Sequence, residues 1–193
     1  LICDMSSDIL SRPIDSSRFA LIYAGAQKNM GPSGVTCVII RKDMLDRCPE
    51  GIPETFNYAD MASKNSLLNT PPVFPIYMVG LVARHLIGLG GLEAVAAIND
   101  RKSALLYGTI DSSGGFFRAH ARADSRSCMN VTFTLPTTEL EAAFVAESEE
   151  AGMRGLKGHR SVGGLRASIY NAVPLAAVEA LVSLMEDFQR RHG

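Results

Sequence analysis

The stretch ALIYAGAQKNMGPSGVTCVIIR, residues 20–41, constrains this chain most. Two short apolar runs, rich in β-branched and aromatic residues, flank a connection of small and polar residues punctuated by Gly and Pro. Runs of that length and composition read as buried strands, and Gly-Pro-Ser-Gly between them reads as a turn. Lys28 therefore sits at the end of a buried strand, beside Gly25, Gly31 and Gly34. A lysine placed there can bind phosphate as a point charge, or act as an amine nucleophile once its surroundings lower its pKa. The bland alternative is a surface lysine snorkelling from a turn. A nucleotide phosphate loop does not fit, because the G-x-x-x-x-G-K-[ST] order is missing and a strand, not a helix, follows.

Elsewhere the pattern alternates strand and helix. Residues 1–4 read as a buried strand end, and SSDILSRPIDSSRF as a polar loop in which Pro13 prevents a long helix. KDMLDRC reads as one or two helical turns, and PEGIPETFNYADMASKNS as loop. A Pro-Pro entry opens a helix carrying Ile76, Val79, Gly80, Val82, Ala83 and Leu86 on one face and stopping at Gly90-Gly91. A second long helix is predicted from the period through Leu92, Val95, Ile98, Ala104, Leu105 and Ile110. From Phe116 on, MNVTFTLP and LRASIYN read as strands, TTELEAAFVAESEEAG as a Thr-capped helix, and PLAAVEALVSLMEDFQRRH as a closing helix. ESEE at 147–150 reads as an exposed helical face. The expected fold class is α/β, with 1–90 as part of a larger domain, 91–115 as a connecting helix and 116–193 as a small α+β domain.

Composition narrows the functional classes. A formal net charge of −1 in 193 residues, with both signs interspersed, gives no electrostatic footprint for nucleic acid or an anionic membrane. No apolar run approaches the ~20 residues of a membrane-spanning helix. Cys3, Cys37, Cys48 and Cys128 show neither CxxC spacing nor disulfide-like density, which points to a reducing, cytoplasmic location. His85, His120 and His192 lack neighbours at metal-ligand spacing, so no metal is expected. The opening LICDMSSDIL starts at once in an apolar strand, as though the chain were cut inside a sheet.

Four segments in order, CDMSSDILSRPID, YAGAQKNMGPSG, LLNTPP and GHRSVGGLRASIYNAVPL, resemble the phosphoserine aminotransferase branch of the class V pyridoxal-phosphate enzymes. The similarity runs the length of the chain and matches the C-terminal half, or slightly more, of the family's sequence. It implies part of a fold-type I large domain followed by the small C-terminal domain. The half that does not match is where the family keeps its phosphate-cupping Gly-rich loop and the aromatic residue that stacks on the cofactor ring.

By that resemblance, Lys28 is the Schiff-base lysine for pyridoxal 5'-phosphate and, once released, the base that moves the substrate's proton. Asp4 becomes the partner of the pyridine nitrogen, and Gln27 a hydrogen-bond partner of the cofactor phosphate. Asn69 and Thr70 match a pair that reaches that phosphate from the other subunit of a homodimer; both residue types also suit a helix cap before Pro71. Arg166 matches the residue that holds the substrate α-carboxylate, the other reading being a structural ion pair. His159 and Arg160 match the residues that recognise the phosphate of phosphoserine, a solvated basic loop being the alternative. The implied reaction moves an amino group between L-glutamate and 3-phosphohydroxypyruvate, with phosphohydroxythreonine as a related substrate. Rival expectations are an alanine- or serine-glyoxylate aminotransferase, and a non-catalytic fragment that needs a companion half.

Overall fold

A computed structural model describes every residue, Leu1–Gly193. The chain forms two compact units, Leu1–Gly91 and Leu92–Gly193.

The first unit is organised by a three-stranded sheet of β1 (Ile2–Asp4), β2 (Leu21–Gly25) and β3 (Thr36–Ile40), in that order. β1 and β2 run parallel, with Asp4 opposite Tyr23, while β2 and β3 are antiparallel, with Gly25 opposite Thr36. The carboxyl ends of β1 and β2 thus lie at one end of the sheet, the end at which open α/β sheets bind ligands. Met5, Ile9, Ile22, Ala24, Ala26 and Met30 form the core beneath, so the residues on either side of Lys28 and Asp4 are anchored by burial. The buried strand end expected at the start of the chain does form β1, but Leu1 is 77% and Ile2 63% exposed, and of β1 only Cys3 packs against the core.

Helices α1 (Lys42–Leu45), α2 (Tyr58–Ser63) and α3 (Val73–Gly88) complete the unit. α2 corrects the loop expected at 49–66: the Asn57 side chain accepts the N–H groups of Ala59 and Asp60, and that cap starts a helix too short to show a period. α3 begins after Pro72, which makes no side-chain cap bond. The cap offered for Asn69 and Thr70 is therefore not formed; Asn69 Nδ2 donates instead to the Thr70 carbonyl at 3.1 Å.

In the second unit, β4 (Arg118–Ala119), β5 (Asn130–Thr134) and β6 (Leu165–Ser168) form an antiparallel sheet in that order. With it come α4 (Gly91–Ser112), α5 (Thr138–Glu150) and α6 (Leu175–His192). The Thr137 hydroxyl accepts the Leu140 N–H at 3.3 Å, the cap legible in TTELE. Phe117, Phe133, Phe144 and Phe188 pack edge to face at centroid separations of 5.1 to 6.4 Å. Each such pair is worth about 0.5–1.5 kcal/mol beyond its area burial. Val178, Leu181, Met185 and Phe188 form the buried stripe of α6.

The helix expected as a connector over 91–115 gives Leu106, Tyr107 and Ile110 to this core. Its buried face differs from the expected one: Ile98 is 45% exposed, whereas Asn99, Lys102 and Ser103 are buried. The polar residues turn inward because the fold supplies partners. Lys102 Nζ donates to the carbonyls of Ile169 at 2.9 Å, Tyr170 at 2.9 Å and Val173 at 3.1 Å, while burial lowers its pKa. ESEE is likewise not a plain solvated face, since Ser148 is fully buried and Glu147 takes a two-pronged pair from Arg191.

Candidate active site

In the first unit the parallel pairing of β1 and β2 sets Asp4 and Lys28 at the same sheet end. Lys28 lies in the turn after β2, exposed, and its Nζ donates to Ser7 Oγ at 2.8 Å. Asp4 Oδ1 accepts both the hydroxyl of Ser6 at 2.6 Å and its backbone N–H at 2.9 Å. Those two bonds, helped by the Tyr23 phenol and the Lys28 charge, hold the Asp4 carboxyl below its ordinary value of 3.8. In return the Asp4 charge raises the Tyr23 phenol. A carboxylate that stays ionised and a primary amine free of any ion pair therefore occur together.

The turn around them is tight. Gln27 folds back over Gly25, where a Cβ would come within 2.7 Å of its amide oxygen. Gly34 takes φ +103°, a conformation that favours glycine. Asn29 is buried and gives its amide to the carbonyls of Ser7 at 3.3 Å and Ile9 at 3.1 Å. Asp4, Gln27 and Lys28 are thus brought together, whereas Asn69 and Thr70 sit exposed in the approach to α3.

The second unit holds the other three expected residues. Arg166 on β6 lines a cavity of about 200 Å³ with His120, Thr132, His159 and Gly163. Its Nε is buried and has no hydrogen-bond partner, and no carboxylate pairs with it, so the structural ion pair offered as its alternative role is absent. His159 and Arg160 line an adjoining cavity of about 510 Å³ with Lys157, Thr138 and Glu141. The Ser161 N–H donates to His159 Nδ1 at 3.3 Å and its hydroxyl lies 2.7 Å from the same nitrogen, which in the neutral ring places the proton on Nε2. A guanidinium with an unmet donor and an imidazole N–H around one cavity make a site for an anion.

Sequence reasoning passed over Ser6, Ser7 and His120. The serines looked like ordinary loop residues, and only the doubled Ser after Asp4 hinted at them. His120 carried no motif at all. No group of three or more His, Cys, Asp or Glu side chains converges as a metal site, and the four cysteines are free thiols. No single helix is long and apolar enough to cross a membrane.

Residues 1–181 match the aminotransferase class-V family. The chain belongs to the class-V aminotransferases. A phosphoserine aminotransferase of Geobacillus kaustophilus is 60% identical over 191 residues, covering 99% of this class-V chain and 53% of the relative. The solved phosphoserine aminotransferase of Bacillus circulans subsp. alkalophilus superposes with a TM-score of 0.96 at 57% identity, covering 100% of this chain and 53% of that one. A phosphoserine aminotransferase of Trichomonas vaginalis, solved with pyridoxal phosphate bound, gives 0.90 at 41% identity over 96% and 53%. This class-V chain thus spans about half the length of the relatives it matches.

Proposed function

We propose that the chain supplies the lysine-bearing part of the large domain and the small domain of a phosphoserine aminotransferase. The reaction would transfer the amino group of L-glutamate to 3-phosphohydroxypyruvate, giving 2-oxoglutarate and O-phospho-L-serine, a step of serine synthesis. The observation that carries this reading is Arg166, which has no carboxylate partner and an unmet buried Nε and lines a cavity with His159. Both substrates of the pair are carboxylates, and one also bears a phosphate.

Pyridoxal 5'-phosphate is the cofactor this site is suited to hold. The donor set fits: a primary amine on Lys28 without an ion pair, an ionised Asp4 beside it, and the Gln27 amide at the same turn. Lys28 would hold the cofactor covalently, Asp4 would face its ring nitrogen, and Gln27 would contact its phosphate, while Asn69 and Thr70 would reach the phosphate of the cofactor held by the other subunit. When bound, the cofactor supplies an electron-withdrawing ring that accepts the charge left as a proton leaves the substrate Cα. The chain's own part is to position and to move that proton. Lys28 Nζ would take that proton from Cα and hold it for return to the cofactor carbon on the other side of the transferred nitrogen, a task suited to a primary amine. Arg166 would hold the α-carboxylate, since a planar guanidinium can pair with a carboxylate through two parallel hydrogen bonds. His159 and Arg160 would bind the phosphate, and the same pattern would accept phosphohydroxythreonine, a precursor in pyridoxine synthesis.

A homodimer is part of this reading, with Asn69 and Thr70 serving the partner's cofactor. Val73, Phe74 and Tyr77, each more than half exposed just beyond them, offer an apolar surface for such contact. The setting would be cytoplasmic. Turnover of phosphoserine compared with that of alanine and serine tests the substrate; equal or faster turnover without the phosphate would refute it. Lys28→Ala should abolish the absorbance of lysine-bound pyridoxal phosphate, and its persistence would refute the role of Lys28.

A further inference from the structure

Asp4 and Lys28 come from different strand ends, yet the side chains that touch them are neighbours in sequence. Ser6 donates twice to Asp4 Oδ1, through its hydroxyl and its N–H. The same hydroxyl accepts the Gly25 N–H at 2.9 Å. A serine hydroxyl has one hydrogen and two lone pairs, so with its proton given to Asp4 it can still accept from β2. The carboxylate is tied through a single oxygen atom to the last residue of the strand that leads to Lys28. Ser7 Oγ in turn accepts Lys28 Nζ.

The backbone of this serine pair is itself held from both sides. Met5 N–H donates to the Tyr23 carbonyl at 2.8 Å, and Met5 and Ile9 are buried in the core. Asn29, next to Lys28, grips the carbonyls of Ser7 and Ile9. Motion of either serine is therefore coupled to both strand ends.

We infer that Ser6 and Ser7 are positioning residues for this site: Ser6 clamps the Asp4 carboxylate against the end of β2, and Ser7 is the acceptor on which the Lys28 amine rests. The inference rests on the roles given to Asp4 and Lys28 above and deepens them. Two donors on one carboxylate oxygen favour the charged form. The Ser6 hydroxyl is the largest cause of the lowered Asp4 pKa, followed by the Ser6 N–H, with burial opposing and Tyr23 and Lys28 adding to it. Two further titratable groups, Cys3 of β1 and Tyr58 of α2, act on the Tyr23 phenol through their charge. The consequence for the chemistry is a carboxylate that remains charged opposite a ring nitrogen, and a released amine that does not wander.

The test is an NMR titration of the Asp4 carboxyl carbon and the Lys28 amine nitrogen in the parent protein, Ser6→Ala, Ser6→Thr and Ser7→Ala. Ser6→Ala should raise the Asp4 midpoint toward 3.8, Ser6→Thr should restore it by returning a hydroxyl, and Ser7→Ala should leave it in place. Ser7→Ala should shift the Lys28 nitrogen resonance, and Ser6→Ala should not. An unmoved Asp4 midpoint in Ser6→Ala, or both variants disturbing both groups alike, would overturn the inference. These titrations need no cofactor. Failure of the parent protein to hold pyridoxal phosphate through Lys28 would instead overturn the functional reading beneath it.

Discussion

Gly158→Ala is the most informative single change, because its effect follows from backbone geometry alone. Gly158 stands where the chain entering the 158–164 loop runs back against the chain that leaves it for β6. Its N–H donates to the Gly164 carbonyl at 2.8 Å, and Lys157 bridges Leu165 in antiparallel fashion. A Cβ at this position would overlap the Gly163 carbonyl oxygen and come within 2.6 Å of the Gly164 oxygen, where ordinary contact begins at 3.4 Å. The Gly164 carbonyl must therefore retreat by about 0.8 Å, the difference of those distances, and Gly163 by more. Both obstacles are backbone and cannot swing aside as a side chain would. The Gly158–Gly164 bond is lost, worth about 1 kcal/mol net. His159 and Arg160 ride on the same loop, and a misplacement of order 1 Å in a positioning group can cost ~10²-fold in rate. At about 1.4 kcal/mol per tenfold, that is ~2.8 kcal/mol of transition-state stabilisation. Steady-state kinetics with O-phosphoserine should show kcat/KM falling on the order of 100-fold, while the absorbance of lysine-bound cofactor is unchanged. A value within about twofold of the parent would refute the claim that this contact holds the anion site.

Other changes probe separate parts of the structure. Arg166→Lys keeps the charge but removes the planar fork, so KM for both substrates should rise by roughly 10-fold or more, and unchanged KM values would count against carboxylate binding by Arg166. Phe144→Ala empties a fully buried site among Phe117, Phe133 and Phe188 and should cost about 3–5 kcal/mol in urea unfolding of the second unit; a loss below about 1 kcal/mol would show that the ring cluster is not what holds it. Arg126 makes two hydrogen bonds of 2.6 Å each to Asp111 and holds its carboxyl below 3.8. Because the folded-state value is the lower one, the stabilisation is complete above 3.8 and is lost as pH falls through the depressed value. The acid limb of the parent should therefore be steeper than that of Asp111→Asn, and parallel limbs would show that the pair contributes nothing.

How much of this was legible beforehand varies with the range of the forces involved. Thr137 capping α5, the stripe of α6 and the two strands around Lys28 depend on residues a few positions apart, and a periodic pattern records such spacing directly. α2 escaped because one asparagine cap sets a helix of six residues, shorter than any period can register. The buried face of α4 was misread because hydrophobic periodicity has no term for Lys102, whose partners are carbonyls 67 to 71 residues away. At the candidate site the motifs named Asp4, Lys28, Arg166 and His159, but not Ser6, whose hydroxyl links Asp4 to Gly25, 19 residues further on.

By itself, then, the sequence determined an α/β chain of the class-V aminotransferases and most of its local elements, since caps, turns and periods are encoded within a few residues. Tertiary structure alone decided the rest. The parallel register of β1 on β2 puts a carboxylate and an amine at one sheet end, two serines tie them there, and the packing around β6 leaves one arginine nitrogen buried without a partner. Those outcomes depend on which distant groups meet once water is excluded, and that is settled only when the whole core closes.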